Sequence, residues 1–544
     1  MKNICLFVCL LATLGAGAQK KKVDLLLFNA HIYTVDKGFS RATALAIHGG
    51  RIADVGNTQA LLRKYDPVQS VNVNGKYIYP GFIDAHTHFY RYGLMLQLAI
   101  LVGTSSWDEV LQRLQSFAAA HPEGWIAGHG WDQNDWAVKE FPDKARLDQL
   151  FPDRPVVLSR IDGHAVIANQ RALDLAGITP GYTLEGGEVE TRNGRLTGIL
   201  IDNATRLVYA KMPAPTEAQM AATLQKAQAN CFAVGLTTVD DCGLDYGQVL
   251  FIDSLQKNGR LKMRIYALLS DAAPNYNFLF DRGTIKTERL HVRGFKVYAD
   301  GALGSRGASL LQPYTDKPDW SGFLLSSAAH FDSVASIIAA HGFQMCTHAI
   351  GDSGNRTILN IYARYLKGPN DLRWRIEHAQ VIDESDFDLF GRYGIIPSVQ
   401  PTHATSDMYW AGARLGPARI KDAYAYERLL KQNGWLPLGT DFPVEDISPF
   451  KTFYAAVFRI DAKGFPAGGF QKENALTREQ ALRGMTIWAA RSNFEEGEKG
   501  SLERGKLADL VILDNDLMTA PAAAVLNSQV IATYVNGEKV YQKK

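Results

Sequence analysis

Three things are scarce in this chain. Only five of its 544 residues are cysteine, and two of them, Cys5 and Cys9, lie at the extreme N-terminus. The remaining Cys231, Cys242 and Cys346 are too few for a disulfide framework. One bridge stays open, with Cys231 and Cys242 the nearest pair in sequence; the other reading is small buried apolar side chains. An excess of one charge is also missing. Lys and Arg total 58 against 56 Asp and Glu, a net charge of +2. That leaves no basic surplus to neutralise phosphates and argues against a nucleic-acid partner. Finally, the N-terminal apolar run, Ile4 to Leu14, is too short to span a bilayer.

What is present at the N-terminus is a leader pattern. Lys2 precedes the apolar run, and Ala16-Gly17-Ala18 offers a small-residue cleavage site before Gln19. Residues 1–18 read as a secretory signal peptide, and Lys20-Lys21-Lys22 after it favours export over a buried first strand. Neither early cysteine sits where a lipid anchor would need it. The expectation is an exported, periplasmic protein without a membrane span. The apolar fraction (46%) and charged fraction (21%) are those of a globular chain. A homo-oligomer is left open.

Residues 23–78 alternate apolar and polar, with turns signalled at Gly49-Gly50 and Asn74-Gly75 that read as hairpins. Residues 501–544 repeat the style, with Asn536-Gly537. Neither end has enough strands to bury a face alone, so the two are expected to pack together as one small β-sandwich. Between them, residues 79–450 alternate buried-strand runs with helical patterns, and 451–500 read as closing helices. The runs are "GFIDAHTH", "GLTTVDD", "KMRIYALLS", "GFKVYADG", "FQMCTHAIGD", "RWRIEHAQ", "IIPSVQPTH" and "LPLGTDFPV". Eight β-α repeats predict an α/β fold, a (β/α)8 TIM barrel, whose chemistry sits at the C-terminal ends of its strands. His348 to His378 fits one repeat of roughly 30 residues. The stretch from His88 to Gly235 does not, and implies a large insertion after the first strand, at about 95–225. This insertion is either a lid that walls the pocket or a separate subdomain.

The candidate chemistry lies at those strand ends. His86 and His88, two residues apart, face one side of an extended strand. Lys296 lies in the fourth strand, His348 ends the fifth, His378 the sixth and Asp441 the eighth. Imidazole and carboxylate donors gathered at one mouth suit a divalent metal such as Zn²⁺. Trp131, Asp132, Asp162 and His164 in the insertion are candidate pocket residues, as are Gln400, His403 and Trp410. For His164, burial as a structural histidine weighs equally. Arg306 either grips a carboxylate or braces its Gly-rich loop. Tyr409 and Trp410 form an aromatic wall or pack their loop.

Taken together, "PGFIDAHTH", "GFKVYADGALGSR", "THAIGD", "IEHAQ" and "LGTDFPV" resemble the amidohydrolase superfamily, in particular its amidohydrolase 3 branch, which includes N-substituted formamide deformylases. "GWDQNDW", "DGHAVIAN" and the terminal "GSLERGKLADLVILD" extend the resemblance over nearly the whole mature chain. It implies that His86, His88 and Asp441 bind one metal ion and that His348 and His378 bind a second where one is present. It also implies that Lys296 is carboxylated and bridges the two, against the alternative of a salt bridge to Asp300. Asp441 would then be the catalytic base in hydrolysis of an amide-type, non-peptide C–N bond of a small molecule. Hydrolysis of an ester or cyclic amide, or a metal-binding scaffold without turnover, are the alternatives.

Overall fold

A computed structural model describes residues 19–213 and 216–544. The expected signal peptide lies outside the described residues. Seven consecutive parallel strands form the central sheet: Phe82–Thr87, Leu236–Leu244, Arg264–Ser270, Leu290–Tyr298, Gln344–Ala349, Arg375–His378 and Ile396–Ser398. Helices such as Tyr246–Lys257, Ala328–Ala340 and Asp352–Leu366 cross between them. The eighth run forms no regular strand. Pro437 in "LPLGTD" has no N–H to give to a ladder, and scattered backbone hydrogen bonds on both sides, not a regular ladder, close the ring. Leu438 bridges Val399 in parallel, and its carbonyl accepts from Ala85 N at 3.1 Å. The result is a nearly closed parallel barrel. Gly439 permits this closure: a Cβ there would lie 2.6 Å from His86 N.

The two chain ends share one hydrogen-bonded sheet. Leu510–Leu513 pairs antiparallel with Tyr77–Pro80, which runs beside Lys21–Tyr33. Gly49-Gly50 and Asn536-Gly537 turn true hairpins, with φ of 59° and 73°, and 52° and 71°. Asn74-Gly75 does not. Its flanking strands, Tyr65–Asn72 and Tyr77–Pro80, both run parallel to Lys21–Tyr33. The turn therefore offsets a chain that keeps its direction. Leu25, Leu27, Ile47, Ile78, Leu510 and Ile512 fill the core of this sheet.

The insertion is a subdomain with its own core. Its six strands run from Ala99–Ile100 to Arg195–Asp202 in one mixed sheet. The helix Trp107–Ala120 covers one face, over Ile126, Leu158 and Ile199. Gln170–Ala176 and Thr205–Tyr209 cover the other, over Val157, Val166 and Leu200. The next helix, Glu217–Ala233, packs Leu224 against Gly93 of the barrel. Cys231 on that helix and Cys242 in the second barrel strand are both free and buried. They are not bridged: Cys231 joins the large core around the barrel, whereas Cys242 packs beside Tyr266, Leu268 and Cys346. No helix among the described residues is long and apolar enough to cross a membrane.

Candidate metal centre

Alternation along each barrel strand sends every second side chain into the ring. Asp84 and His86 lie on one face of the first strand. Lys296 is fully buried in the fourth strand, His348 nearly so in the fifth, and Arg375 and Glu377 fully in the sixth. His378 follows Glu377 and would point away if the pleat continued. Its φ of 73°, followed by 42° at Ala379, breaks the pleat and turns the ring toward His86 and His348, with centroids 4.8 and 4.6 Å away. Asp441 is likewise left-handed, with φ of 62°, and its N–H donates to the His86 carbonyl at 2.8 Å. Non-glycine residues seldom adopt this conformation, and it concentrates at functional positions.

These turns create one convergence of donors. One ligand atom each from His86, His88 and Asp441 lies within 4.8 Å of the others. Asp441 Oδ1 stands 3.4 Å from His86 Nε2 and 3.3 Å from His88 Nε2. That oxygen is buried and accepts no hydrogen bond of normal geometry. A buried, unpartnered carboxylate oxygen is costly unless a cation answers it. Two imidazoles and a carboxylate are also a donor set that a divalent metal takes. The residues therefore fit a metal ion.

Lys296 Nζ lies 3.3 Å from His86 Nε2. The salt bridge from Lys296 to Asp300 does not form. Asp300 instead accepts backbone N–H bonds from Ser309, Ile350 and Gly351 at 2.8, 2.9 and 2.8 Å. Burial pushes its carboxyl up to about 7 against those bonds. Burial also lowers His88 to about 4 and puts His348 and His378 well below their usual range, so these rings are neutral, as metal ligands must be. Asp441 goes the other way: burial would raise it, but His86 and His88 hold it well below the ordinary carboxylate value.

The other sequence candidates divide. His403 reaches the centre, its Nε2 buried without a hydrogen bond and 3.9 Å from Asp441 Oδ2. His164 also reaches it, its ring centroid 5.2 Å from that of His348 and its Nδ1 2.6 Å from Asp202 Oδ1. Gln400 is buried behind the centre and holds His378 Nδ1 through Oε1 at 2.7 Å. Asp132 and Asp162 both clamp the Arg160 guanidinium at 2.5 Å. Trp131 is not a pocket residue. It is fully buried in the insertion core and donates its indole N–H to the Leu158 carbonyl at 2.8 Å. Arg306 braces its loop through Asp316, with contacts of 3.3 and 3.0 Å. Trp410 packs against the Gly304 loop and under Arg414, while Tyr409 is exposed and stacks on Phe465. Two partners escaped sequence reasoning. Asp202 ends an insertion strand far from any histidine, and Glu377, directly before His378, contacts His86 Nδ1 at 2.5 Å. Their only signal was a carboxylate at the end of a buried strand.

The family model described as the amidohydrolase family matches residues 69–541. The chain belongs to the amidohydrolase family. Among its relatives, the protein LONG AFTER FAR-RED 3 of Arabidopsis thaliana is 34% identical, the match covering 95% of this chain and 91% of that protein. An N-substituted formamide deformylase of Arthrobacter pascens is 27% identical over 96% of this chain and 98% of that protein. A solved metal-dependent hydrolase from Pyrococcus horikoshii superposes with a TM-score of 0.75 at 27% identity, covering 92% of this chain and 99% of its own. This amidohydrolase is thus a metal-dependent hydrolase, with His86, His88 and Asp441 as its candidate metal site.

Proposed function

We propose that the protein hydrolyses an amide-type, non-peptide C–N bond of a small molecule, using Zn²⁺ held by His86, His88 and Asp441. The observation that carries this reading is the unpartnered Asp441 Oδ1 facing two imidazole Nε2 atoms inside the barrel mouth. The similarity to a formamide deformylase supports the choice of bond. His348 and His378 stand ready for a second ion, and Lys296, carboxylated, would bridge the two. An ammonium at Lys296 would repel the cation, whereas reaction of the neutral amine with CO2 forms a carbamate, releases a proton and supplies anionic oxygen.

A bound divalent cation supplies Lewis acidity, lowering the pKa of attacking water toward about 7. Asp441 takes the proton from that water at a carboxylate oxygen and returns it to the leaving nitrogen. Its depressed pKa keeps it ionised. His164, oriented by Asp202, and His403 flank the centre and contact the substrate. The insertion, which supplies His164, closes one side and limits access of bulk water. The leader directs the protein to the periplasm.

The test is turnover of a panel of N-formyl and N-acyl amines by metal-loaded and chelated protein. Release of amine that stops on chelation and returns with Zn²⁺ is the expected result. Ester turnover with every amide inert would overturn the choice of bond.

A further inference from the structure

The barrel interior below the metal site carries an ionic chain where barrels of this kind usually pack branched apolar side chains. Asn493 Nδ2 donates to Asp240 Oδ1 at 2.5 Å. Arg375 Nη1 donates to Asp240 Oδ2 at 2.9 Å, its Nη2 to the Ala85 carbonyl at 2.6 Å and its Nε to Glu377 Oε1 at 2.5 Å. Glu377 Oε2 then meets His86 Nδ1 at 2.5 Å. Asp240, Arg375, Glu377, Asn493 and His86 are all fully buried.

Burying three charges costs several kcal/mol per ion, and apolar residues would fill the same space at no such cost. What the chain provides is direction. Both Glu377 oxygens are acceptors, and Arg375, which cannot deprotonate, claims one of them. The other can only accept, so His86 must carry its neutral-state proton on Nδ1. In that neutral state its Nε2 lone pair faces Asp441 Oδ1 and Lys296 Nζ.

We propose that Glu377 is a positioning residue for the metal centre. It fixes His86 as the Nδ1–H tautomer, and Asn493, Asp240 and Arg375 lock Glu377 in the rotamer that does so. This rests on reading His86 as a metal ligand. The arrangement also predicts how the closest substitution fails. In Glu377→Gln the single amide oxygen goes to Arg375, whose charge demands an acceptor. The amide NH2 then faces His86 and forces the proton onto Nε2, where it blocks ligation.

The tautomer is read by nitrogen-15 solid-state NMR of histidine-labelled, metal-free protein, with His86→Gln to assign the signal. Zn²⁺ affinity is read by chelator competition. The wild type is expected to show a protonated Nδ1 on His86, and Glu377→Gln a protonated Nε2 with Zn²⁺ affinity about 10- to 100-fold weaker. A wild-type His86 protonated on Nε2 and bare at Nδ1 overturns the proposal, as does a folded Glu377→Gln with unchanged affinity. If Glu377→Gln does not fold, the wild-type spectrum alone decides. A protein with the expected tautomer and affinity that hydrolyses no amide supports this role and removes the proposed reaction instead.

Discussion

His88 Nε2 lies 3.3 Å from Asp441 Oδ1, although the two residues come from opposite ends of the barrel's chain path. The contact exists because the eighth run returns beside the first strand, through Leu438 to Ala85 and Asp441 to His86. It joins the candidate ligand to the candidate proton carrier.

Asp441→Asn should therefore fail in two ways at once. The amide keeps the shape but loses the charge that draws the cation and the basicity that accepts a proton. Turnover is expected to fall by about 10²- to 10⁴-fold, the usual scale for a general base, with reduced metal content by mass spectrometry. A variant with normal metal content and near-normal turnover would remove Asp441 from both roles.

Metal removal should also cost stability. A ligand that binds only the folded state at 1,000 times its Kd adds about 4.1 kcal/mol. Chelation is expected to lower the melting temperature, and Zn²⁺ to restore it. An unchanged melting curve would contradict a high-affinity site at His86, His88 and Asp441.

Lys296 is expected to carry a carbamate in the metal-loaded protein. Carbon-13 bicarbonate should yield a carbamate resonance that is lost in Lys296→Met. Labelled wild type without that resonance, at full metal loading, would leave Lys296 as an amine.

Beside the first strand, where it pairs with Thr87, Asp241 offers a pH test. Burial pushes its carboxyl up to about 7, against backbone hydrogen bonds from Tyr90, at 2.9 Å, and Phe89 that favour the anion. An unfolded aspartate titrates near 3.9, approximately. Between those values the unfolded chain binds fewer protons than the folded one. Stability from this group is thus full below about 4 and falls as pH rises toward about 7. Asp241→Asn should gain stability relative to wild type from pH 5 to pH 8, read as the difference between two melting curves at each pH. A constant difference would contradict the raised value.

Trp131→Ala should separate packing from recognition. Truncating a fully buried tryptophan costs about 3–5 kcal/mol and leaves the Leu158 carbonyl without its donor. The melting temperature of the insertion should drop, with KM for the best amide changed less than by His164→Ala. A large KM effect with no loss of stability would return Trp131 to the pocket.

The strand ends were legible in sequence because short apolar runs give way there to histidine or carboxylate side chains. His86, His88 and His348 lie at or next to such ends, Lys296 lies within its strand, and His378 and Asp441 turn inward through left-handed backbone that the sequence does not announce. Trp131 was misleading because strand alternation does not say which face of the insertion's sheet holds a core. The eighth strand was read from its apolar pattern, yet it closes the ring through scattered hydrogen bonds and no regular ladder. Glu377 and Arg375 were missed because "RWRIEH" reads as an ordinary alternating strand, and only the closed ring shows that its charged face points inward. The Asn74-Gly75 signal gave a turn correctly but not the direction of the strands it joins.

The central claim is that a metal ion sits between His86 Nε2, His88 Nε2 and Asp441 Oδ1 in the active protein. The most direct test is an anomalous-difference map at the zinc edge from crystals of Zn²⁺-loaded, catalytically competent protein. A peak within bonding distance of those three atoms is the expected result. Competent protein with no peak there, or with its only peak elsewhere, would contradict it.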